Sequence, residues 1–188
     1  MPAEQQPVSD ERPTRIFVGI KLDAEIAGPL ARLALPLERF AARLVLADDL
    51  HLTLVPPWNE THLAETVWRL RQAVRDFPVF VLAFERVRYG PDPKRPRMLW
   101  AVCRAGAGIS DLKNRLLQAF PLTEPRPFLP HVTLARLPRN GRVVARKNPL
   151  DQELTLIQRV DSVQLFRSPA PGSVGYEVVA SVALLASP

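Results

Sequence analysis

The sequence predicts an α+β fold of two pseudo-symmetric lobes, mostly antiparallel sheet with outer helices, meeting at a cleft. Three observations predict it. Runs rich in branched and aromatic residues alternate with stretches whose apolar residues recur every three or four positions. The order strand, helix, strand is written twice, and each time the last strand opens on His-x-Thr-x: HLTL at His51–Leu54 and HVTL at His131–Leu134. The spacing also agrees, because Arg15 stands 36 positions before His51 and Arg97 stands 34 before His131. An internal duplication with an approximate two-fold axis accounts for all three.

The 188 residues suffice for one domain with its own core. Residues 1–13 combine prolines and acids and read as a disordered tail; a signal peptide needs a basic and then an apolar run. The folded domain is expected over residues 14–188. RIFVGIK, 15–21, is strand-like, and Asp23 then offers an N-cap to a helix striped by Ile26, Leu30 and Leu33. Gly28-Pro29 weakens the start of that helix. RLVL, Asp48-Asp49 and HLTLV follow. A helix over 61–76 carries the stripe Leu63, Val67, Leu70 and Val74, and a strand over 79–88 comes next. RMLWAVCR, 97–104, opens the second half. Ser110 is placed as the cap of a helix with Ile109, Leu112, Leu116 and Phe120 on one face, and a proline-rich loop delivers HVTLA. Two further strands, 153–166 and 174–185, close the chain.

Composition narrows the class. A single cysteine, Cys103, cannot build a disulfide framework, which favours a reducing, cytoplasmic setting; within MLWAVC it reads as a buried small hydrophobe. No uninterrupted apolar run is long enough to span a membrane. The formal net charge is +6, and it is concentrated: Arg126, Arg136, Arg139, Arg142, Arg146 and Lys147 face no acid over 126–149, and six cations over 86–104 face only Asp92. Two positive segments suit a polyanion such as RNA, or keep the surface solvated.

The repeated motif carries the chemistry. Side chains alternate faces along a strand, so His51 and Thr53 project together while Leu52 and Leu54 turn inward. His131 and Thr133 do the same above Val132 and Leu134. Chance supplies such a pattern at only about one histidine in a hundred in a chain of this composition, yet two of the three histidines have it. The third, His62, stands near a helix start and reads as a surface residue. Facing strands would bring two imidazoles and two hydroxyls to one space. In-line displacement at phosphorus needs a base on one side and an acid on the other, and imidazole, with an unperturbed pKa of about 6.5, serves as either. Threonine hydroxyls can donate to the non-bridging oxygens, and Arg136 adds a fixed positive fork. A facial metal site from the two histidines and Asp48 or Asp49 leaves the threonines without a role. Neither a P-loop nor a dinucleotide fingerprint is present, so no nucleotide cofactor is expected.

The paired motifs, the RIFVGI opening and RPFLPHVTLAR at 126–136 together resemble the 2H phosphoesterase superfamily, most of all its RNA 2′,3′-cyclic phosphodiesterases, also called 2′-5′ RNA ligases. The resemblance runs from about Arg15 to Leu185. It implies a bilobal fold with both motifs in its cleft, no metal or cofactor, and RNA ends with a 2′,3′-cyclic phosphate, or small cyclic nucleotides, as substrates; no feature of the sequence demands more than a monomer. It further implies His51 as the acid protonating the departing 3′ oxygen and His131 as the base activating water, giving a 2′-phosphate. Thr53, Thr133 and Arg136 would bind the phosphate. Reversal of the same chemistry would join a cyclic phosphate to a 5′-hydroxyl. One departure stands out: VPPWNET follows the first motif where the family often has a Phe-Leu-Gly-Glu turn, and Trp58 in it either stacks on a base or covers the next helix. The alternative reading is a non-catalytic RNA-binding or nucleotide-sensing module, against which the intact His and Thr of both motifs argue.

Overall fold

The computed structural model describes residues 12–120, 122, 127–170 and 172–186; the expected tail, apart from Arg12 and Pro13, and Arg126 lie outside them. Among the described residues nine strands occur in the order β1 (Thr14–Lys21), β2 (Arg43–Leu44), β3 (His51–Glu60), β4 (Phe80–Gly90), β5 (Met98–Cys103), β6 (His131–Arg136), β7 (Asp151–Val160), β8 (Ser162–Arg167) and β9 (Glu177–Ala183). Between them the described residues form the α-helices α1 (Ala24–Ala34), α2 (Leu63–Val74), α3 (Ala107–Ala119) and α4 (Gly141–Lys147).

The two expected sheets are two halves, β6-β5-β4-β7 and β3-β1-β8-β9, joined edge to edge where β3 meets β6, with β2 added on β6. Every ladder between named strands is antiparallel. The seam is thin: β3 and β6 share one registered pair, Leu52 with Val132. The two motifs therefore flank the junction, and the approximate two-fold relates β1-α1-β3 to β5-α3-β6. The helices do not stay with their own halves. α1 lies against β6 and α3 against β3, so each half covers the other's motif strand.

Inward residues hold the motif strands. Leu52, Leu54, Val132 and Leu134 are all fully buried in one core cluster that runs through both halves, and each such burial contributes roughly 1.5–3 kcal/mol. The alternate residues, His51, Thr53, His131 and Thr133, face away from this core.

Several local expectations shift. Ser110 stands inside α3, whose N-cap is Gly106. Asp23 does cap α1, but through its backbone carbonyl, which accepts from Ile26 and Ala27 N–H; Pro29 is accommodated within the helix. The single strand expected over 153–166 is two strands, β7 and β8, broken at Asp161. α4 has no counterpart among the expected elements, because its arginines mask the short apolar pair Val143 and Val144. RLVL contributes just Arg43 and Leu44 to the sheet.

Candidate active site

β3 and β6 place the two motifs on one open face. His51 and His131 are both partly buried, and each makes the same backbone contact: His51 Nδ1 lies 2.6 Å from the Asp49 carbonyl oxygen and His131 Nδ1 lies 2.7 Å from that of Leu129. A carbonyl only accepts, so each Nδ1 carries the proton and donates it. The neutral tautomer is thereby set, with Nε2 as the unprotonated ring nitrogen in each. The anchoring oxygen stands two residues before the histidine in both cases.

Antiparallel pairing at Leu52 and Val132 puts His51 alongside Thr133 and Thr53 alongside His131. Each imidazole thus neighbours the other motif's hydroxyl. Two cavities of nearly equal size flank this cross and share Thr53. One, of about 370 Å³, is lined by His51, Thr53, Arg15, Phe17, Pro57, Arg136 and Tyr176 among others. The other, of about 360 Å³, is lined by His131, Thr53, Pro56, Met98, Trp100, Lys113 and Phe128 among others. Arg136 follows the second motif in the chain, yet it reaches the first motif's cavity. Thr133 is half-buried, with its hydroxyl 3.6 Å from Met98 Sδ, and lines neither cavity.

The histidines differ in their surroundings. His51 is boxed by Phe17 (ring centroids 4.8 Å apart), Tyr176 (4.8 Å, edge-on) and Phe166 (5.3 Å). Burial in this box pushes its pKa below the ordinary value. The Asp49 carbonyl and carboxylate pull the other way, while Arg136 and His131 add to the lowering. Asp49 is itself held in place, its Oδ1 accepting the Tyr176 backbone N–H at 2.8 Å. His131 has one aromatic neighbour among the described residues, Trp100, edge-on at 4.3 Å. Trp100 fits there only because residue 90 is glycine: a Cβ on Gly90 would come within 2.0 Å of the indole ring.

The structure brings His51, His131, Thr53 and Arg136 to the cleft walls, with Thr133 just behind. Sequence reasoning misses Arg15, Phe17, Trp100, Lys113, Phe128 and Tyr176. Phe17 and Trp100 are legible as strand residues on the motif-facing side, but Lys113 and Tyr176 give no signal. Lys113 belongs to α3 and is nearly fully buried; its Nζ donates to the Leu54 carbonyl at 2.9 Å and lies 4.6 Å from the centre of the Phe128 ring.

Other candidates fall away. Trp58 packs on Phe120 and donates to Glu60, so it covers α3 rather than lining either cavity. His62 is exposed at the N-cap of α2. Burial pushes the Cys103 thiol far above its ordinary pKa, which leaves it inert. Among the described residues no three His, Cys, Asp or Glu side chains gather as a metal site, and no helix is long and apolar enough to cross a membrane. The basic stretch over 86–104 is partly neutralised: Arg86 pairs with Asp151 and Glu153, and Arg104 with Glu85.

Comparison with known proteins identifies the family and the fold. A family model described as the 2′-5′ RNA ligase superfamily matches residues 22–170. An RNA 2′,3′-cyclic phosphodiesterase of Bacillus subtilis (strain 168) is 29% identical over 135 residues, 68% of this chain and 73% of the relative. The crystal structure of E. coli LigT complexed with 3′-AMP superposes with a TM-score of 0.69 at 28% identity, covering 92% of this chain and 99% of that one. TT0787 of Thermus thermophilus reaches a TM-score of 0.73 at 23% identity, over 90% of this chain and 97% of that one, a likeness of fold.

Proposed function

The chain belongs to the 2′-5′ RNA ligase superfamily, and we propose that it opens 2′,3′-cyclic phosphates at RNA ends, or on small nucleotides, to 2′-phosphates by two-histidine acid/base catalysis. The observation that carries this is the pair of imidazoles on adjoining strands, each with Nδ1 on the backbone carbonyl two residues earlier and each at the wall of a cavity that Thr53 also lines.

In this reading the cyclic phosphate lies across the Leu52/Val132 junction. His131 Nε2 takes a proton from water as its oxygen attacks phosphorus. The bond to O3′ breaks on the opposite side, and His51 supplies the proton that O3′ needs. Thr53 and Thr133 donate to the non-bridging oxygens as their charge grows, and Arg136 holds the anion from the His51 side. Burial favours the neutral form of His51 in the free protein. The phosphate's own negative charge restores its proton when substrate binds. The acid therefore becomes competent in the complex.

Product analysis on a 2′,3′-cyclic nucleotide tests this directly. A 2′-phosphate is expected, unaffected by a chelator. A 3′-phosphate would reverse the roles of the histidines, and salt-sensitive RNA binding without turnover would favour the non-catalytic module.

A further inference from the structure

The cavity beside His51 is lined by two arginines, and the proposed hydrolysis employs one of them. Arg136 comes from β6 and Arg15 from β1, so they stand on either side of β3. The cavity they line, of about 370 Å³, admits one nucleoside. Register places Lys21 opposite His51 and Arg15 opposite Asn59. Alternation puts Arg15 on the same face of β1 as Phe17, whose ring meets His51, and about 7 Å further along the strand. The Arg15 carbonyl accepts from Ser168 N–H at 2.8 Å, which ties this end of β1 to the wall formed by Ser168 and Pro169. Among the described residues neither guanidinium pairs with a carboxylate, although Arg69, Arg86, Arg104, Arg115 and Arg167 each do. Two unneutralised forks in one cavity suit two anionic groups on one ligand.

A nucleoside 2′,3′-cyclic phosphate carries a single phosphate, and the mechanism above already gives that group to the histidines, the threonines and Arg136. On a ribose the 2′ and 3′ oxygens lie at one end and C5′ at the other. A ring whose cyclic phosphate sits at the seam, with O3′ beside His51, therefore directs C5′ away from the seam. Resting on the hydrolytic reading, we propose that Arg15 is a specificity-determining residue that binds a phosphate on O5′ of the nucleotide being opened. Its guanidinium presents paired N–H donors that match two oxygens of that phosphate. The contact is remote from the bonds that form and break, so it selects the substrate and leaves the proton transfers to the histidines. Two sources share this chemistry: the 5′-phosphate monoester of a free nucleotide, and the diester that joins the last nucleotide to the rest of an RNA chain. Arg15, Pro57 and Asn59 are exposed, so this end of the cavity opens to solvent and leaves room for a chain to continue.

The test compares hydrolysis of three substrates: 2′,3′-cyclic AMP, the same nucleotide with a 5′-phosphate, and the dinucleotide ApA ending in a 2′,3′-cyclic phosphate. Each kcat/KM is divided by that for 2′,3′-cyclic AMP, so the fraction of folded enzyme cancels. The ratio should reach about tenfold or more. A gain with the dinucleotide alone assigns the diester of a chain, a gain with the 5′-phosphate alone assigns a free nucleotide, and a gain with both assigns the phosphate as such. Arg15→Gln should bring the ratio close to one, and Arg15→Lys should keep part of it. Arg136→Gln should slow all three substrates alike and preserve the ratio. Arg43→Gln removes the same charge outside both cavities and should also preserve it. A wild-type ratio near one, a ratio that survives Arg15→Gln, or one that falls equally in Arg43→Gln overturns the role of Arg15 and leaves the hydrolytic reading standing. Absence of turnover with all three substrates overturns both.

Discussion

His51 and His131 solve one problem of orientation in the same way and then part company. Each donates Nδ1–H to the carbonyl two residues earlier, on a strand whose inward residues are fully buried. Beyond that shared frame, His51 sits in a box of Phe17, Phe166 and Tyr176, with Asp49 beneath and Arg136 nearby. Among the described residues, His131 meets the Trp100 indole edge and lines a mostly apolar cavity. The backbone of a duplicated motif thus defines what its histidine can exchange, and the neighbours define when it is charged. In the proposed mechanism, two copies of one pattern become an acid and a base through the residues that the second half does not share with the first.

Replacing the histidines is the strongest way to break the comparison. His51→Ala and His131→Ala should each lower kcat by about 10²–10⁴-fold, measured on a cyclic nucleotide. The double variant should lose little more than either single one, because the groups act as a unit. A double variant whose loss is the product of the two would show that they act in separate steps. Next in size, Arg136→Ala should lower kcat/KM by about tenfold or more through the lost phosphate contact. Arg43→Ala serves as the control, since Arg43 pairs with Arg136 in the sheet yet lines neither cavity; its effect should stay under about threefold.

The smallest effect is the most discriminating, and it concerns pH. A general acid is lost as pH rises through its pKa. Because burial lowers the His51 value in the free protein, the alkaline limb of kcat/KM should begin below the ordinary imidazole range. Bound phosphate raises the His51 pKa, so the alkaline limb of kcat should lie at higher pH than that of kcat/KM. Pseudo-first-order rates across the neutral range check this. Limbs that coincide, or that fall in the opposite order, would remove His51 from the role of acid.

Much of this is legible in the chain because it is periodic or repeated. The alternation in HLTL and HVTL predicts which side chains face out, and the matched intervals predict the approximate two-fold. What stays hidden is non-local. Tyr176 reaches His51 across more than a hundred positions, through a loop whose sequence, GSVGY, has no period. Lys113 reads as the polar face of a helix, yet it is buried against β3 because α3 crosses to the other half. The basic run at 86–104 reads as a patch because its carboxylates, Asp151 and Glu153, arrive by cross-strand register from β7. The shared Thr53 and the crossing of Arg136 follow from the one-pair seam, and no spacing rule announces which residues two strand edges will share.

The carbonyl anchors of His51 and His131 have a consequence for how this site can change over generations. In many enzymes the orienting partner of a catalytic histidine is a carboxylate, and one altered codon removes it. Here the partners are main-chain oxygens of Asp49 and Leu129, which every residue type possesses. Replacing either side chain leaves the anchoring oxygen in the chain. The orientation of both imidazoles is inherited with the path of the backbone, so the walls of the two cavities are free to diverge toward new ligands without unsettling the two rings.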